Sequence, residues 1–292
     1  GERMRDVIAR LTDDYPNLSP QLRQAARFVL DQPTEIAINS MRKVAAAEVA
    51  PSTMLRLAKA LDYPTYEAFR KPFRESLRGR TEGFGDRARW LQEMAEGDDA
   101  GQVMGRMAEA ALANVEAVFH DNDPAEFARA ATIIRDARRV YVIGVGGAFT
   151  LAGYFHYLAR MALPRMRLPA GQAGSLIDDL VDIEPDDVIL ATSVAPYMSA
   201  TVRAADFARD RGAKIIAIVD SRAAPFAAGA TAILTTPTES PQFFPSYIGV
   251  MAVMETLLAC IVSGGDDATV RKIAEIDRVR RDSGIYWDET EN

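Results

Sequence analysis

Residues 140–150 read Val-Tyr-Val-Ile-Gly-Val-Gly-Gly-Ala-Phe-Thr: a short apolar run, a glycine-rich turn and the beginning of a helix-forming stretch. Similar apolar runs recur at Val188–Ala191, Ile215–Val219 and Ile233–Leu234, with a weaker one at Met166–Leu168. Helix-forming stretches separate the runs, at Thr150–Ala162, Ser199–Arg211 and Tyr247–Val262. This alternation predicts βαβ units, and therefore an α/β fold: an αβα sandwich with a mainly parallel five-stranded sheet.

The glycine-rich turn after the first strand is typical of an anion site, because backbone N–H groups and the positive end of a helix dipole converge there. A dinucleotide site would need Gly-x-Gly-x-x-Gly, but Phe149 stands where the third glycine belongs. The expected second strand also lacks an acidic end for a ribose. We therefore expect a small ligand at this turn and no cofactor.

The composition is that of a globular protein, with 48% hydrophobic and 26% charged residues among 292. No run of 18 apolar residues predicts a membrane span, and the charged first residues are unlike a secretory signal. The single cysteine excludes a disulfide framework and a multi-cysteine zinc site. These features favour a soluble cytoplasmic protein that does not act at a membrane.

Basic and acidic residues are unevenly distributed along the chain. Residues 1–80 hold 14 Lys and Arg against 10 Asp and Glu, whereas the remaining 212 residues hold 20 against 31. From Val7 to Leu77 the apolar spacing is helical throughout. A small basic helical part ahead of a large acidic part is typical of a nucleic-acid-binding module joined to a metabolite-binding or oligomerisation module.

Residues 40–61 have the pattern of two short helices with a break between them. Ser40 can cap a helix at Met41–Glu48, and a second helix begins at Pro51 or Ser52. On a helical wheel, small, hydroxyl and basic residues share one face of this second helix, and apolar residues share the other. The first face comprises Ser52, Thr53, Arg56, Lys59 and Ala60, and the second comprises Met54, Leu57, Ala58 and Leu61.

The polar face of the second helix has the chemistry of a major-groove reader. Small residues at the helix start allow close approach, hydroxyls can contact phosphates, and Arg or Lys can reach guanine edges. The alternative is the solvated face of an ordinary amphipathic helix, which has the same periodicity.

The same stretch resembles the helix-turn-helix of RpiR-type bacterial transcriptional regulators. The matching positions are Ala45, Val49, Thr53, Arg56, Leu61 and Tyr63, whereas Ala50 and Asp62 stand where the family often has Ser and Gly. In place of Ala50, Ser52 could supply a helix cap or phosphate contact. The resemblance implies that the second helix binds DNA. Arg56 is the first candidate for a base contact, with Thr53, Lys59 and Ser52 beside it, and Arg42 and Lys43 would contact phosphates.

Residues 125–283 resemble the SIS (sugar isomerase) domain that these regulators carry after the helix-turn-helix. Gly144 and Gly146 match its first loop, but Ala148 replaces the expected serine. In the loop after the third strand Ser193 is kept, whereas Ala195 and Pro196 stand where Ser-Gly is expected. The resemblance implies domains at 1–80 and 125–283, joined by a linker and connecting helix at 81–124.

The SIS resemblance also implies a site for a sugar phosphate or another small anionic metabolite. Its residues would be Gly146, Gly147, Thr150, Ser193, Tyr197 and Ser199, with Ser240 and Ser246 from the loop after the last strand. A homodimer or homotetramer is implied as well, and Phe243 and Phe244 would pack at a subunit interface.

No arrangement of side chains in the sequence indicates catalysis or a metal site. The pairs Asp178-Asp179 and Asp186-Asp187 are adjacent in sequence and are expected to be solvated caps. The predicted function is therefore a ligand-responsive regulator of a metabolic operon that binds a double-stranded DNA operator and is not an enzyme. The alternatives are a sugar-phosphate isomerase or lyase, for which Glu255 is the candidate base, and a binding module that has lost both activities.

Overall fold

A computed structural model describes residues 2–38, 49–76, 99–288 and 290. The chain divides into two compact units. The first contains the described residues up to Ala117, together with Val219–Gly229 and Thr235–Gly249. The second contains Val118–Ile218, Ala230–Leu234 and the described residues from Val250 onward.

The described helices, numbered in chain order, are mostly 10 residues long or more. They are α1 (Met4–Asp14), α2 (Pro20–Asp31), α3 (Pro33–Ile38), α4 (Pro51–Ala60), α5 (Tyr66–Ser76), α6 (Asp99–Asp121), α7 (Pro124–Asp136), α8 (Gly147–Ala162), α9 (Leu176–Leu180), α10 (Ser199–Asp210), α11 (Ile248–Ser263) and α12 (Asp267–Asp282). The predicted helix at 41–48 and the first part of the predicted linker, residues 81–98, lie outside the described residues.

The strands form one five-stranded sheet in the order β2-β1-β3-β4-β5. Their bounds are β1 (Val140–Ile143), β2 (Met166–Arg167), β3 (Val188–Ser193), β4 (Lys214–Val219) and β5 (Ala232–Thr235). β1 is parallel to both its neighbours, with Val140 opposite Met166 on one side and Val188 on the other. The predicted α/β fold with a mainly parallel sheet is confirmed, including the weak strand at Met166.

The N-terminal helices α1 to α5 enclose their own apolar core. Its wholly buried side chains come from every one of these helices and include Val7, Leu11, Val29, Ile36, Met54, Leu57, Phe69 and Phe73. Ala223, from the segment after β4, belongs to the same cluster. Burial of this kind contributes about 1.5–3 kcal/mol for each large side chain, which makes these short helices stable where they would be marginal alone.

Two polar interactions stabilise the segments that precede strands β1 and β3. The Asp123 carboxylate caps α7 by accepting from the Ala125 N–H over 2.9 Å, as the Asp-Pro pair predicts. The second is a correction: Asp187 is not a solvated cap but has an exposed fraction of 0%. Its carboxylate accepts from Arg138 Nε over 3.0 Å and Nη2 over 2.8 Å, which ties the start of β3 to the start of β1.

Among the described residues, no single helix is both long and apolar enough to cross a membrane. The pair α11 and α12 meets the length and composition criteria only when taken together, and it is bent by 117° at the break.

Candidate functional site

Helix α4 separates its two faces as the sequence predicts. Met54, Leu57 and Ala58 are wholly buried in the N-terminal core, and Leu61 is nearly so. On the opposite face Ser52, Arg56, Lys59 and Ala60 are exposed, and Thr53 is half-buried. Sequence and structure therefore agree on a helix whose small, hydroxyl and basic side chains are presented together outside the core.

The start of α4 differs from one expectation. Ala50 is the residue before the helix, and its carbonyl accepts from the N–H groups of Thr53 and Met54. Ser52 lies inside the first turn, after Pro51, and no side chain caps the helix. Ser52 therefore does not replace the missing cap at Ala50, and its exposed hydroxyl is available to other partners.

The end of α4 is closed by a left-handed residue. Asp62 has φ of 65°, a conformation for which Gly is favoured and Asp is among the tolerated residues. The Tyr63 N–H then donates to Ala58 O over 3.0 Å. Arg10 donates to the Leu61 carbonyl and stacks over the Tyr63 ring at 5.5 Å. Burial and the nearby Glu2 carboxylate raise the pKa of Tyr63 to about 12, so its hydroxyl stays protonated.

Arg70 is a structural residue whose role sequence reasoning missed. Its guanidinium is buried, and it donates from Nε to Ile36 O over 2.9 Å and from Nη2 to Ala37 O over 3.1 Å. Glu67 pairs with Nη1 at 2.7 Å. Arg70 therefore caps the last turn of α3 from α5. Only its place on the otherwise apolar face of α5 could have indicated burial.

Of the six predicted DNA-contacting residues, the structure describes four. Ser52, Thr53, Arg56 and Lys59 are brought together on one face of α4. The Arg56 guanidinium reaches toward α2, with Nη1 3.5 Å from Gln21 Oε1, which is a long contact. Arg42 and Lys43 lie outside the described residues.

The turn after β1, residues 144–147, opens helix α8 through a backbone that only glycine adopts easily. Gly146 has φ of 67° and ψ of −130° and precedes the helix. A Cβ on Gly144 would lie 2.5 Å from the Ala148 carbonyl oxygen. Both glycines are therefore required by the turn itself.

The loop after β3 lies beside this turn. Met198 Cε is 3.8 Å from the position that a Cβ on Gly146 would occupy. Buried Ser193, at the end of β3, accepts from the Met198 N–H over 3.2 Å, which folds the loop back onto the strand. Ser199 is the exposed first residue of α10, and Tyr197 is half-buried between them. The structure therefore brings Gly146, Gly147 and the 193–199 loop together.

The hydroxyl groups near the 144–147 turn and the 193–199 loop differ in the hydrogen bonds that they already make. The Thr150 hydroxyl donates to Gly147 O over 2.6 Å, within its own helix turn. Ala148, where the SIS domain has serine, is buried and brings only a methyl group. The Ser193 oxygen accepts one bond, which leaves its proton to donate. The Thr150 proton is therefore already used, and position 148 offers no hydroxyl.

Ser240 and Ser246 lie in the loop after β5, where each closes a local turn. The Ser240 hydroxyl accepts from the Gln242 N–H over 3.3 Å, and the Ser246 hydroxyl from the Ile248 N–H over 3.4 Å. Phe243 has an exposed fraction of 98%, and Phe244 contacts the Tyr247 ring edge-on at 5.8 Å. The predicted roles of these serines and phenylalanines stay predictions.

Two titratable side chains of the second unit, Glu255 and His156, have different environments. Glu255 is exposed on α11. His156 is half-buried on α8, where burial together with Arg160 and Arg167 lowers its pKa. Within the described ranges, no group of three or more His, Cys, Asp or Glu side chains could hold a metal ion.

Residues 133–263 match the SIS domain. The chain is 22% identical to the HTH-type transcriptional regulator HexR of Escherichia coli K12 over 260 residues, which is 86% of each protein. It is 24% identical to the HTH-type regulator YfhH of the same organism, over 72% of this chain and 74% of that one.

Two solved structures are similar to this fold. One is the sugar isomerase domain of the RpiR transcription factor of Sphaerobacter thermophilus, with a TM-score of 0.57 and 25% identity over 61% of this chain and 99% of that chain. The other is the NanR protein of Vibrio vulnificus complexed with ManNAc-6P, with a TM-score of 0.55 and 17% identity over 94% and 97%. Taken with the matched domain and the curated relatives, this likeness supports the family that the sequence predicts, an RpiR-type transcriptional regulator with a SIS domain.

Proposed function

We propose that the protein is a ligand-responsive, DNA-binding transcriptional regulator of a metabolic operon. The observation that carries this proposal is helix α4, which buries its apolar face and presents Ser52, Arg56 and Lys59 together. Regulators of the helix-turn-helix type that align over most of the chain support it. In this proposal residues 1–80 bind DNA, residues 81–124 connect, and residues 125–283 bind the effector.

The DNA contacts would be of two kinds, contacts to base edges that read the sequence and contacts to phosphates that position the protein. Arg56 lies in the second turn of α4, where a long cationic side chain can reach a guanine edge. Thr53 and Lys59 flank it, and Ser52 at the helix start is suited to a phosphate. Arg42 and Lys43 would hold phosphates on the neighbouring helix of the motif.

The effector would be a small anionic metabolite of the sugar-phosphate class. Gly146, Gly147 and the start of α10 would supply backbone donors, and Ser193, Tyr197 and Ser199 would supply hydroxyls. The Thr150 hydroxyl, whose proton is bound to Gly147 O, would serve as an acceptor for a sugar hydroxyl. Ser240 and Ser246 would join them from the loop after β5, residues 236–247 (the β5 loop). The phosphosugar in the NanR complex supports this ligand class, and the alanine at 148 supports fewer hydroxyl contacts than SIS sites usually have.

We also propose that this regulator does not catalyse a reaction. The SIS fold also occurs in isomerases, so an isomerase or lyase is the second candidate, and Glu255 would be its base. Its exposed position on α11 favours the regulator. We further propose a cytoplasmic homodimer or homotetramer, because two copies of α4 are needed to read two half-sites.

The test is selection of duplexes from a random DNA pool by the purified full-length protein. We expect enrichment of a sequence with two related half-sites, and an affinity that falls steeply with salt because Lys and Arg displace counterions. Failure to enrich any sequence, with and without a panel of sugar phosphates, would overturn the proposal. Turnover of a hexose or pentose phosphate by the same preparation would favour the isomerase.

A further inference from the structure

Asn114 is a buried polar side chain that joins helix α6 to the loop after β5. Its exposed fraction is 1%, and its Nδ2 donates to the carbonyl oxygen of Glu239 over 2.7 Å. A buried amide is costly unless it is bonded, so this contact favours one position of the loop relative to the helix. The residues it joins are 125 positions apart in the sequence.

The loop that Asn114 holds, residues 236–247 (the β5 loop), is cohesive. The Ser246 N–H donates to Thr238 O over 3.0 Å and closes the loop at its base. The Gln242 side chain bonds both the N–H and the carbonyl of Phe244, at 2.9 and 2.8 Å. Because these bonds hold the loop to itself, an anchor at Glu239 positions the whole of it, including Ser240 and Ser246.

Helix α6 connects the Asn114–Glu239 bond to the unit that contains the N-terminal helices. Among the described residues it follows the N-terminal helices in the chain, and α7 lies between it and the sheet. Its residues up to Ala117 and the segment Thr235–Gly249 belong to the compact unit that contains those N-terminal helices. A change in the position of the β5 loop therefore acts on α6 at Asn114, within the unit that carries α4.

We infer that Asn114 is a positioning residue that couples the β5 loop to helix α6, and through α6 to the DNA-reading helix. The inference rests on the proposed function, in which the β5 loop contributes two hydroxyls to the effector site. Effector contact with Ser240 or Ser246 shifts the loop, the bond to Asn114 passes that shift to α6, and the placement of α4 changes. By reciprocity, DNA bound at α4 alters the β5 loop.

The first arm of the test uses the free full-length protein and hydrogen–deuterium exchange read by mass spectrometry. Asn114→Ala removes the anchor, and exchange of peptides within 236–247 should rise on the order of fivefold, the effect of one net hydrogen bond. The isosteric Asn114→Asp replaces the donor by a carboxylate that repels the Glu239 carbonyl, and should have the same effect without a cavity.

Asn122→Ala is the matched control. Asn122 is also buried, at 6% exposure, and its Nδ2 also donates to a backbone carbonyl, that of Val118 over 2.8 Å. This bond joins the residue after α6 to the last turn of that helix and not to the β5 loop. Exchange of 236–247 should therefore be unchanged in this variant. Equal effects of the Asn114 and Asn122 variants, or no effect of either Asn114 variant, would overturn the inference.

The second arm adds the operator duplex selected from the random pool. In the wild type, DNA binding should change exchange of the β5 loop peptides. The change should be absent in both Asn114 variants and present in Asn122→Ala. A loop that does not respond to DNA in the wild type, or responds equally in the Asn114 variants, contradicts the coupling. Failure to select any duplex contradicts the proposed function instead, and the first arm still decides whether Asn114 holds the loop.

Discussion

Arg56 is the residue on which the proposed reading of DNA depends most directly. Its side chain is exposed, and its contact with Gln21 is long, so its removal should leave the fold intact. Arg56→Ala should cost about 1–3 kcal/mol of operator affinity per half-site and relax the preference at one base position. The measurement is a binding titration with the selected duplex and with single-base variants of it.

Arg203→Ala on α10 is the control for Arg56→Ala, since it removes an exposed positive charge outside α4. It should weaken neither the affinity nor the base preference. If Arg56→Ala kept the sequence preference of the wild type, α4 would not be the reading helix.

Asp187 is the residue whose environment makes stability depend on pH. Burial alone would raise its pKa, but hydrogen bonds from Arg138 and from backbone N–H groups lower it overall. Its stabilising effect is therefore full above the ordinary value of 3.8 and is lost as the pH falls through the lower folded value. We expect urea midpoints to fall as the pH is lowered below about 4.

Asp187→Ala should remove most of that dependence and destabilise the protein by roughly 3 kcal/mol. This is at the low end for breaking a buried ion pair, because the Arg138 partner is still a third exposed. The exposed neighbour serves as control, and Asp186→Ala should shift the urea midpoint very little. Equal destabilisation by both variants would contradict the burial of Asp187.

Helices α3 and α5 are joined by hydrogen bonds of Arg70 that could not be predicted from the sequence. Arg70→Ala would remove the two hydrogen bonds that the guanidinium donates to the carbonyls of Ile36 and Ala37 in the last turn of α3. We expect a loss of about 2–3 kcal/mol, since two charge-assisted bonds to backbone oxygens are removed. Thermal unfolding followed by circular dichroism would show it. Arg74→Ala, exposed on the same helix, should have almost no effect.

The elements themselves were largely predictable from the sequence, and the reason is periodicity. The alternation of Met54, Leu57 and Leu61 with Arg56 and Lys59 already gives the two faces of α4. The β-branched runs give β1, β3 and β4 to within two residues. Bonds between distant parts, such as Arg70 to α3 or Asn114 to Glu239, leave no periodic trace. The spacing of apolar residues predicts which residues share a face of a helix. It does not predict which carbonyl of a distant segment a polar side chain will bond.

For the candidate effector site, the glycine-rich turn is predictable from the sequence, but the groups around it are not. The Gly-x-Gly pattern predicts a turn, and the structure places Gly146 beside Met198. That Thr150 would direct its hydroxyl to Gly147 rather than outward could not be read from the sequence, because a threonine near a helix start has both options. Hydroxyl direction is decided by local competition for acceptors.

At the scale of the whole molecule, the proposed function requires that effector and operator influence each other's affinity by the same factor. Couplings of this kind are typically about 5–150-fold. Gly146→Ala should abolish the effect of effector on DNA binding, because a Cβ is strained at φ of 67° and would distort the turn. Operator titrations with and without a phosphosugar panel that includes N-acetylmannosamine 6-phosphate measure the coupling.

Gly284→Ala is a matched control for Gly146→Ala. Its φ of 64° is also positive, so alanine is strained there as well, but nothing lies within 4 Å of its Cβ position and it follows the end of α12. It should lose some stability and keep the full response. A response lost in both variants would point to strain in general and not to the turn at Gly146.

Ala223 has a consequence for how the chain can be cut. It lies after β4, yet it is buried in the same apolar cluster as the helices around α4. A protease that cleaved the chain between residues 77 and 98 and separated the pieces would uncover the surface that this methyl group and its neighbours protect. The released fragment would be less stable than the same helices in the intact protein and more prone to aggregate, so the N-terminal helices should not act as a lasting DNA-binding piece once the chain is cut.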